Sequence, residues 1–181
     1  MTDVPPEAGV NAAATPLPPD PARFPFVRSV EDALRGRAVP LARVSGPDAD
    51  RPAVYRIEST GSEWECLVEI DEDRECVAFR SILPIEIPAG RRHEVAALAA
   101  SANAARIVGH FAIARRDGRI THTSGVRLAG LAPSPDVLLW LLGENLLAVD
   151  LHLAAFMLVA WTDVSADVAL RECGPAGLEA A

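Results

Sequence analysis

The chain has 181 residues, 50% of them hydrophobic and 23% charged, enough for one domain with a sizeable core but not for two. Its 25 acidic and 17 basic residues leave a net charge of −8, which disfavours phosphate-driven nucleic-acid binding and adhesion to anionic lipid. All 17 basic residues are arginine, so Schiff-base and P-loop lysine chemistry is excluded.

Residues 1–26 carry Pro5, Pro6, Pro16, Pro18, Pro19, Pro21 and Pro25 among alanines and read as a disordered tail. Within a domain placed at residues 27–170, Ser29 reads as the N-cap of a short helix, with Asp32 in the capping-box place and Gly36 as its stop. A Pro, Gly and Asp-rich loop over residues 45–52 leads into a three-stranded meander that starts at residues 53–59 and turns at Gly61-Ser62. In its second strand Trp64, Cys66, Val68 and Ile70 alternate with more polar residues, and in its third Val77, Phe79, Ser81 and Leu83 share a face. A two-residue turn at Glu72-Asp73 would set Cys66 opposite Phe79, Val68 opposite Val77 and Glu65 opposite Arg80, with Cys66 and Cys76 on opposite faces and too far apart for a disulfide.

Pro84 and Pro88 are expected to end the third strand. Residues 90–103 then carry Val95, Leu98, Ala99 and Ala102 at helical spacing. Strands over residues 107–115 and 119–128 flank Asp117-Gly118, a type I′ hairpin signal. The last element opens with Ser134 as N-cap, Pro135 at the first helical position and Asp136 beside the positive end of the dipole. It runs over residues 137–161 with leucine on nearly every face and Gly143 as a candidate bend, so one side should pack on the sheet and the other on a second subunit or partner. Its longest uninterrupted apolar stretch is residues 153–161, well short of the ~20 residues that a spanning helix needs, so no transmembrane segment is read. Residues 171–181 read as a flexible C-terminal tail.

Tests for chemistry are negative. His93-Glu94 begins a zinc-protease motif, but Ala97 stands where the second histidine is required. His110 and His122 lie on opposite faces of the hairpin and cannot chelate one ion. Ser124 shares a face with His122 but has no nucleophile elbow and no placed carboxylate, and His152 in the apolar helix reads as a core or interface residue. Asp71, Asp73 and Glu75 resemble the start of a calcium loop, yet Cys76 takes the glycine position and Ile82 the twelfth, so they read as solvated turn acids. Arg91 and Arg92 read either as solvated or as an acidic-partner contact with Arg115, Arg116 and Arg119. Glu144 and Asp150 either mark the solvent face of the last helix or pair across an interface. Cys66, Cys76 and Cys173, odd in number and irregularly spaced, fit a reducing cytoplasm, and residues 1–14 lack the pattern of a secretory signal. No cofactor, metal or catalytic residue is assigned.

In Trp64-Glu65-Cys66-Leu67-Val68, Arg80-Ser81-Ile82-Leu83-Pro84, Ala102-Asn103 leading to Gly109-His110-Phe111-Ala112-Ile113, Asp117-Gly118 and Leu131-Ala132-Pro133-Ser134, the chain resembles the YbjN-like family over residues 27–168. Members are bacterial proteins described as sensory transduction regulators, with a domain similar to type III secretion chaperones. The resemblance implies an α+β fold, an antiparallel sheet of three-strand meander plus hairpin with flanking helices. It further implies a non-enzymatic protein-binding module, a chaperone-like protein or signalling adaptor acting as a homodimer on an unknown protein partner. Trp140, Leu142, Leu146, Val149, Leu153 and Phe156 are the candidate interface residues. The alternative is a small-ligand protein or enzyme with a pocket near His122 and Ser124.

Overall fold

Residues 23–47, 51–58 and 64–173 are described by the computed structural model, in which alternating apolar side chains build one six-stranded antiparallel sheet. The strands are β1 (Leu41–Ser45), β2 (Ala53–Ile57), β3 (Glu65–Asp71), β4 (Cys76–Glu86), β5 (His110–Ile113) and β6 (Arg119–Arg127), in the order β1-β2-β3-β4-β6-β5. Helices α1 (Pro25–Arg35), α2 (Arg92–Ala104), α3 (Pro135–Trp161) and α4 (Ala166–Cys173) complete the fold. The α+β class, the meander and the hairpin are as expected; β1 is an additional edge strand, and Ser45, expected in a loop, closes it.

Alternation puts one residue in two toward the helices. Ala53, Tyr55 and Ile57, then Cys66, Val68 and Ile70, then Val77, Phe79, Ser81, Leu83 and Ile85 are all buried, while their neighbours are half-buried or exposed. The other face of the sheet is bare among the described residues. It carries Leu67 between Arg56 and Arg80, with ion pairs Arg56–Glu65 at 2.7 Å and Arg80–Glu69 at 3.2 Å.

Both hairpins are offset from the expected register by two residues. Val68 faces Phe79 and Cys66 faces Ser81, because the β3–β4 turn takes four residues, with Glu75 at φ +48. His122 faces Phe111 because the β5–β6 loop takes Arg115 to Gly118, with Gly118 alone at positive φ, +73. A slip of two keeps every side chain on its face, so the buried set survives although the cross-strand pairs change. Glu65 therefore faces Ile82, not Arg80. All three cysteines are free thiols, as the separation of Cys66 and Cys76 requires. Pro84 does not end β4: it sits past the last rung with β3, within the irregularity between Ile82 and Glu86, where no ladder bond is lost.

Helix α1 starts at Pro25 and not after Ser29, which lies inside it, and Gly36 follows its end. Pro25 suits the first helical position. The cap is remote: the Glu72 carboxylate, in the β3–β4 turn, accepts the Phe26 and Val27 N–H groups at 3.0 and 2.8 Å. Two orphan donors and the positive end of the dipole are thereby met by one anion, so Glu72 is a structural ligand of α1. Glu72→Ala is expected to cost about 1–2 kcal/mol in urea unfolding, the upper range for a lost cap. A loss below a few tenths would mean that water serves α1 as well.

Helix α2 buries Val95, Leu98, Ala99 and Ala102, as its spacing predicts. Beyond them, the Asn103 carboxamide accepts the Phe111 N–H at 2.6 Å and donates to the Phe111 carbonyl at 3.0 Å. One side chain thus stands in for a strand against Phe111 at the β5 edge. Helix α4 was not anticipated; it packs Ala166 and Ala169 on the core and ends at Cys173, beyond the expected domain boundary. Of the tails expected at 1–26 and 171–181, residues 25–26 open α1 and residues 171–173 close α4, which corrects both boundaries; residues 1–22 and 174–181, the loop centre at 48–50 and the turn at Gly61-Ser62 lie outside the described residues.

Helix α3 runs unbroken for 27 residues, about 40 Å at 1.5 Å per residue, and Gly143 does not break it. By length and composition alone it could cross a bilayer. Its inner face, however, is packed: Leu138, Leu141 and Leu142 close one apolar cluster with α1, β2 and β3, and Ala148, Val149, Ala155, Phe156, Val159 and Ala160 close a second with α2, α4 and the end of β4.

Candidate functional site: a buried polar seam and the outer face of helix α3

Between the two apolar clusters lies a polar seam. Ile57, Cys66, Ser81, His122 and Phe111 form one row across the sheet, and Asn145 of α3 descends onto its middle. Asn145 Oδ1 accepts the Ser81 hydroxyl at 2.6 Å. Its Nδ2 lies 2.9 Å from the Phe79 carbonyl, 3.1 Å from His122 Nδ1 and 3.2 Å from the His122 carbonyl. Ser124, one rung away, donates to the Leu141 carbonyl at 3.0 Å. Ser81, His122 and Asn145 are fully buried, Ser124 nearly so.

Donation from Asn145 makes His122 Nδ1 the acceptor and places the ring proton on Nε2, which is buried without a hydrogen-bond partner against Gly109. Burial, reinforced by the charges of Arg106, His110 and His152, pushes the His122 pKa down to about 3, so the ring is neutral. Gly109, at φ +77, is required there, because a Cβ would come within 2.7 Å of the imidazole. His152 donates Nδ1–H to the Ala148 carbonyl at 2.9 Å, and its pKa is also lowered, chiefly by burial. Phe111 links the two histidines, its ring centroid 4.6 Å from His122 and 5.3 Å from His152. Burial likewise raises the Cys66 thiol to about 11, far from a reactive thiolate.

These facts describe a packing device. Ser124 and His122 share a face as expected, yet each is committed to a different partner, and neither lines either of two described concavities. Those lie elsewhere, one of about 470 Å³ along Trp64, Pro84, Ile85 and Arg119, the other of about 350 Å³ between Arg106, Ile107, Trp140 and Glu144. Among the described residues, no group of three or more His, Cys, Asp or Glu is placed to hold a metal.

Several of the arginines and acids singled out by sequence have structural partners. Arg91 donates to the Val159 and Val164 carbonyls, both at 2.9 Å, and fastens the end of α3. Arg92 donates to the Arg115 carbonyl at 2.8 Å, which ties α2 to the β5–β6 hairpin, so neither arginine is simply solvated. Asp71 receives the Arg74 backbone and side chain, which hold its carboxyl below the usual range against a partial desolvation, while Glu75 receives the Gly130 N–H. Glu144 lies 3.4 Å from Arg106, and Asp150 is exposed.

The six candidate interface residues divide. Leu142, Val149 and Phe156 are inside the core; Leu146 and Leu153 are half-buried at its margin; Trp140 is 52% exposed. On a helix apolar all round, several seven-residue frames look equally good in sequence, and the sheet chose this one for the inside. The outer frame is the one sequence reasoning missed. Between positions 140 and 161 the exposed residues are Trp140, Gly143, Leu147, Asp150, Ala154, Met157 and Trp161, at alternating spacings of three and four.

The described residues thus form a two-layer α+β domain with helices on one sheet face, a bare opposite face and the outer frame of α3 exposed. The YbjN family model, described as "Putative bacterial sensory transduction regulator", matches residues 28–157, and the chain belongs to this family. Among solved structures, the fold is similar to YbjN from E. coli, "a putative transcription regulator", with TM-score 0.51, 7% identity, and coverage of 68% of this chain and 84% of that one. It is similar also to the ExsC–ExsE complex, with TM-score 0.51, 11% identity, and coverage of 77% and 98%. The HopA1–SchA chaperone–effector complex aligns with TM-score 0.47, 15% identity, and coverage of 71% and 93%. No curated protein matches the chain in sequence.

Proposed function

We propose that this protein is a non-enzymatic protein-binding module, regulatory or chaperone-like, that works in the cytoplasm through the two faces its own fold leaves open. The observation that carries this reading is the outer frame of α3, where Trp140 and Trp161 stand 52% and 57% exposed beside Leu147 and Met157. Exposed aromatic and methionine side chains at regular spacing are what protein interfaces use, and isolated surface residues do not line up in this way. The bare sheet face, with Leu67 among compensated charges, is the second surface. Three free thiols suit a reducing compartment.

Tagged wild type, Trp140→Glu and Leu67→Glu can be compared for the proteins they retain from a bacterial lysate. The expected result is a partner held in near-stoichiometric amount by the wild type and lost on at least one variant, with both variants folded by circular dichroism. Identical retention on all three chains would overturn this reading.

A further inference from the structure

We infer that the end of the sheet at which the β5–β6 hairpin turns binds an acidic polypeptide segment that carries a large apolar side chain among its acids. This rests on the reading of the chain as a protein-binding module, and it names a further surface and the chemistry of its occupant.

Charge carries the first argument. Arg92 reaches across the hairpin turn, donating to the Arg115 carbonyl at 2.8 Å, and passes so close to Gly118 that a Cβ there would lie 3.2 Å from its guanidinium. The turn thereby gathers Arg92, Arg115, Arg116 and Arg119, the last three of them exposed. A guanidinium that donates to a carbonyl keeps its whole charge. Among the described residues Arg92, Arg115 and Arg116 have no carboxylate partner, while Arg119 shares Asp117, in its own turn, at 3.5 Å. Glu86 stands opposite Arg119 in the ladder, and Glu94 lies about 200° round α2 from Arg92. No side chain caps α2, so the positive end of its dipole adds to the field at this end. In a chain of net charge −8, this gathering of arginines is a local reversal of sign.

Shape carries the second. Strand β3 ends with Glu65 opposite Ile82, and the β4–β6 ladder is irregular between Ile82 and Glu86. The gap is a concavity of about 470 Å³ whose lining includes Trp64, Ile82, Pro84 and Arg119. Pro84 has no N–H with which to pair another strand, so the groove suits a side chain more than an added backbone. Arg119 joins this apolar slot to the arginines of the turn.

The same lining chooses between polyanions. Glu65, held by Arg56 at 2.7 Å, and Glu86 also line the groove. They repel an occupant charged at every step, as the backbone of a nucleic acid is. A polypeptide escapes that penalty, because it can set an apolar residue in the slot and its carboxylates on the planar forks of the arginines.

The test is fluorescence anisotropy of the full chain with three labelled probes: a peptide of ten glutamates interrupted by a central pair of leucines, the same peptide without the leucines, and an oligothymidylate of equal charge. The leucine-bearing peptide should bind, and should weaken at least about tenfold between about 50 and 300 mM salt. Arg115→Glu with Arg116→Glu should weaken it about tenfold further, and this double variant keeps the Arg115 carbonyl that Arg92 uses. Arg28→Glu with Arg127→Glu, the same change of charge away from the hairpin, should cost less than about twofold. Removing the leucines from the probe, or Pro84→Glu in the chain, should each cost at least about threefold. No binding of the leucine-bearing peptide at about 1 mM, equal losses on the two double variants, or tighter binding of the oligothymidylate would each overturn the proposal. If the peptides fail while the wild type still retains a lysate protein that Trp140→Glu loses, the protein-binding reading stands and only this surface fails. If no peptide binds and no lysate protein is retained, both fail.

Discussion

Replacing Asn145 with alanine is expected to destabilise the protein by about 3–5 kcal/mol, although alanine is the better helix former. The carboxamide meets the Ser81 hydroxyl, the Phe79 carbonyl and His122 Nδ1 at once, in a place that water does not reach. Its loss strands three buried polar groups at about 1–3 kcal/mol each, offset in part by relaxation, and opens a cavity between the two apolar clusters. Asn145→Leu restores the volume but not the hydrogen bonds and should recover little. Urea unfolding at pH 7.5 measures both variants. A loss below about 1 kcal/mol for alanine would show that the seam is not what positions α3 on the sheet.

The second large effect is on pH. The His122 pKa is about 3 in the folded chain, and about 6.5 in the unfolded chain as for any solvated histidine. A folded pKa below the unfolded one means that the unfolded state binds the proton first as pH falls. Its contribution to stability is therefore complete above pH 6.5 and is lost progressively between about pH 6.5 and pH 3. Between pH 7.5 and 4.5 this amounts to about 2–3 kcal/mol, and His152, shifted in the same direction, adds to it. Acidic side chains also titrate toward the bottom of this range, so the informative comparison is with His122→Leu, less stable at neutral pH but with a flatter profile. Parallel profiles for the two proteins would mean that the buried ring takes up its proton without opening the fold.

These expectations rest on residues whose importance could be read from sequence only in part. His122, Ser124 and His152 stood out as polar residues in apolar surroundings, and the opposite faces of His110 and His122 followed from strand alternation. That Asn145 is the hub could not be read, because its partners lie 23 to 66 residues away. The same reason hid the cap of α1. Ser29 and Asp32 make a plausible local box, but a carboxylate from the β3–β4 turn competes for the N-terminus and moves it to Pro25, whose fit to the first helical turn was the local signal overlooked.

Short-range rules therefore settled what repeats within a few residues. Alternation placed the buried face of the strands, 3.6-residue spacing placed the buried stripe of α2, and Ser134-Pro135 placed the start of α3. Composition alone excluded lysine-dependent chemistry. Motif resemblance gave the family.

What sequence did not determine were the quantities that depend on two distant segments meeting. Turn length set the register of both hairpins, and a change of two residues left no trace in the hydrophobic pattern because the pattern itself repeats every two. For α3 the ambiguity was rotational. Leucine on nearly every face fits several frames, and only the fixed positions of Ser81, Phe79 and His122 on the sheet required Asn145 to point inward. Once that polar contact was made, Leu142, Val149 and Phe156 followed it into the core, and Trp140, Leu147, Met157 and Trp161 were left facing outward.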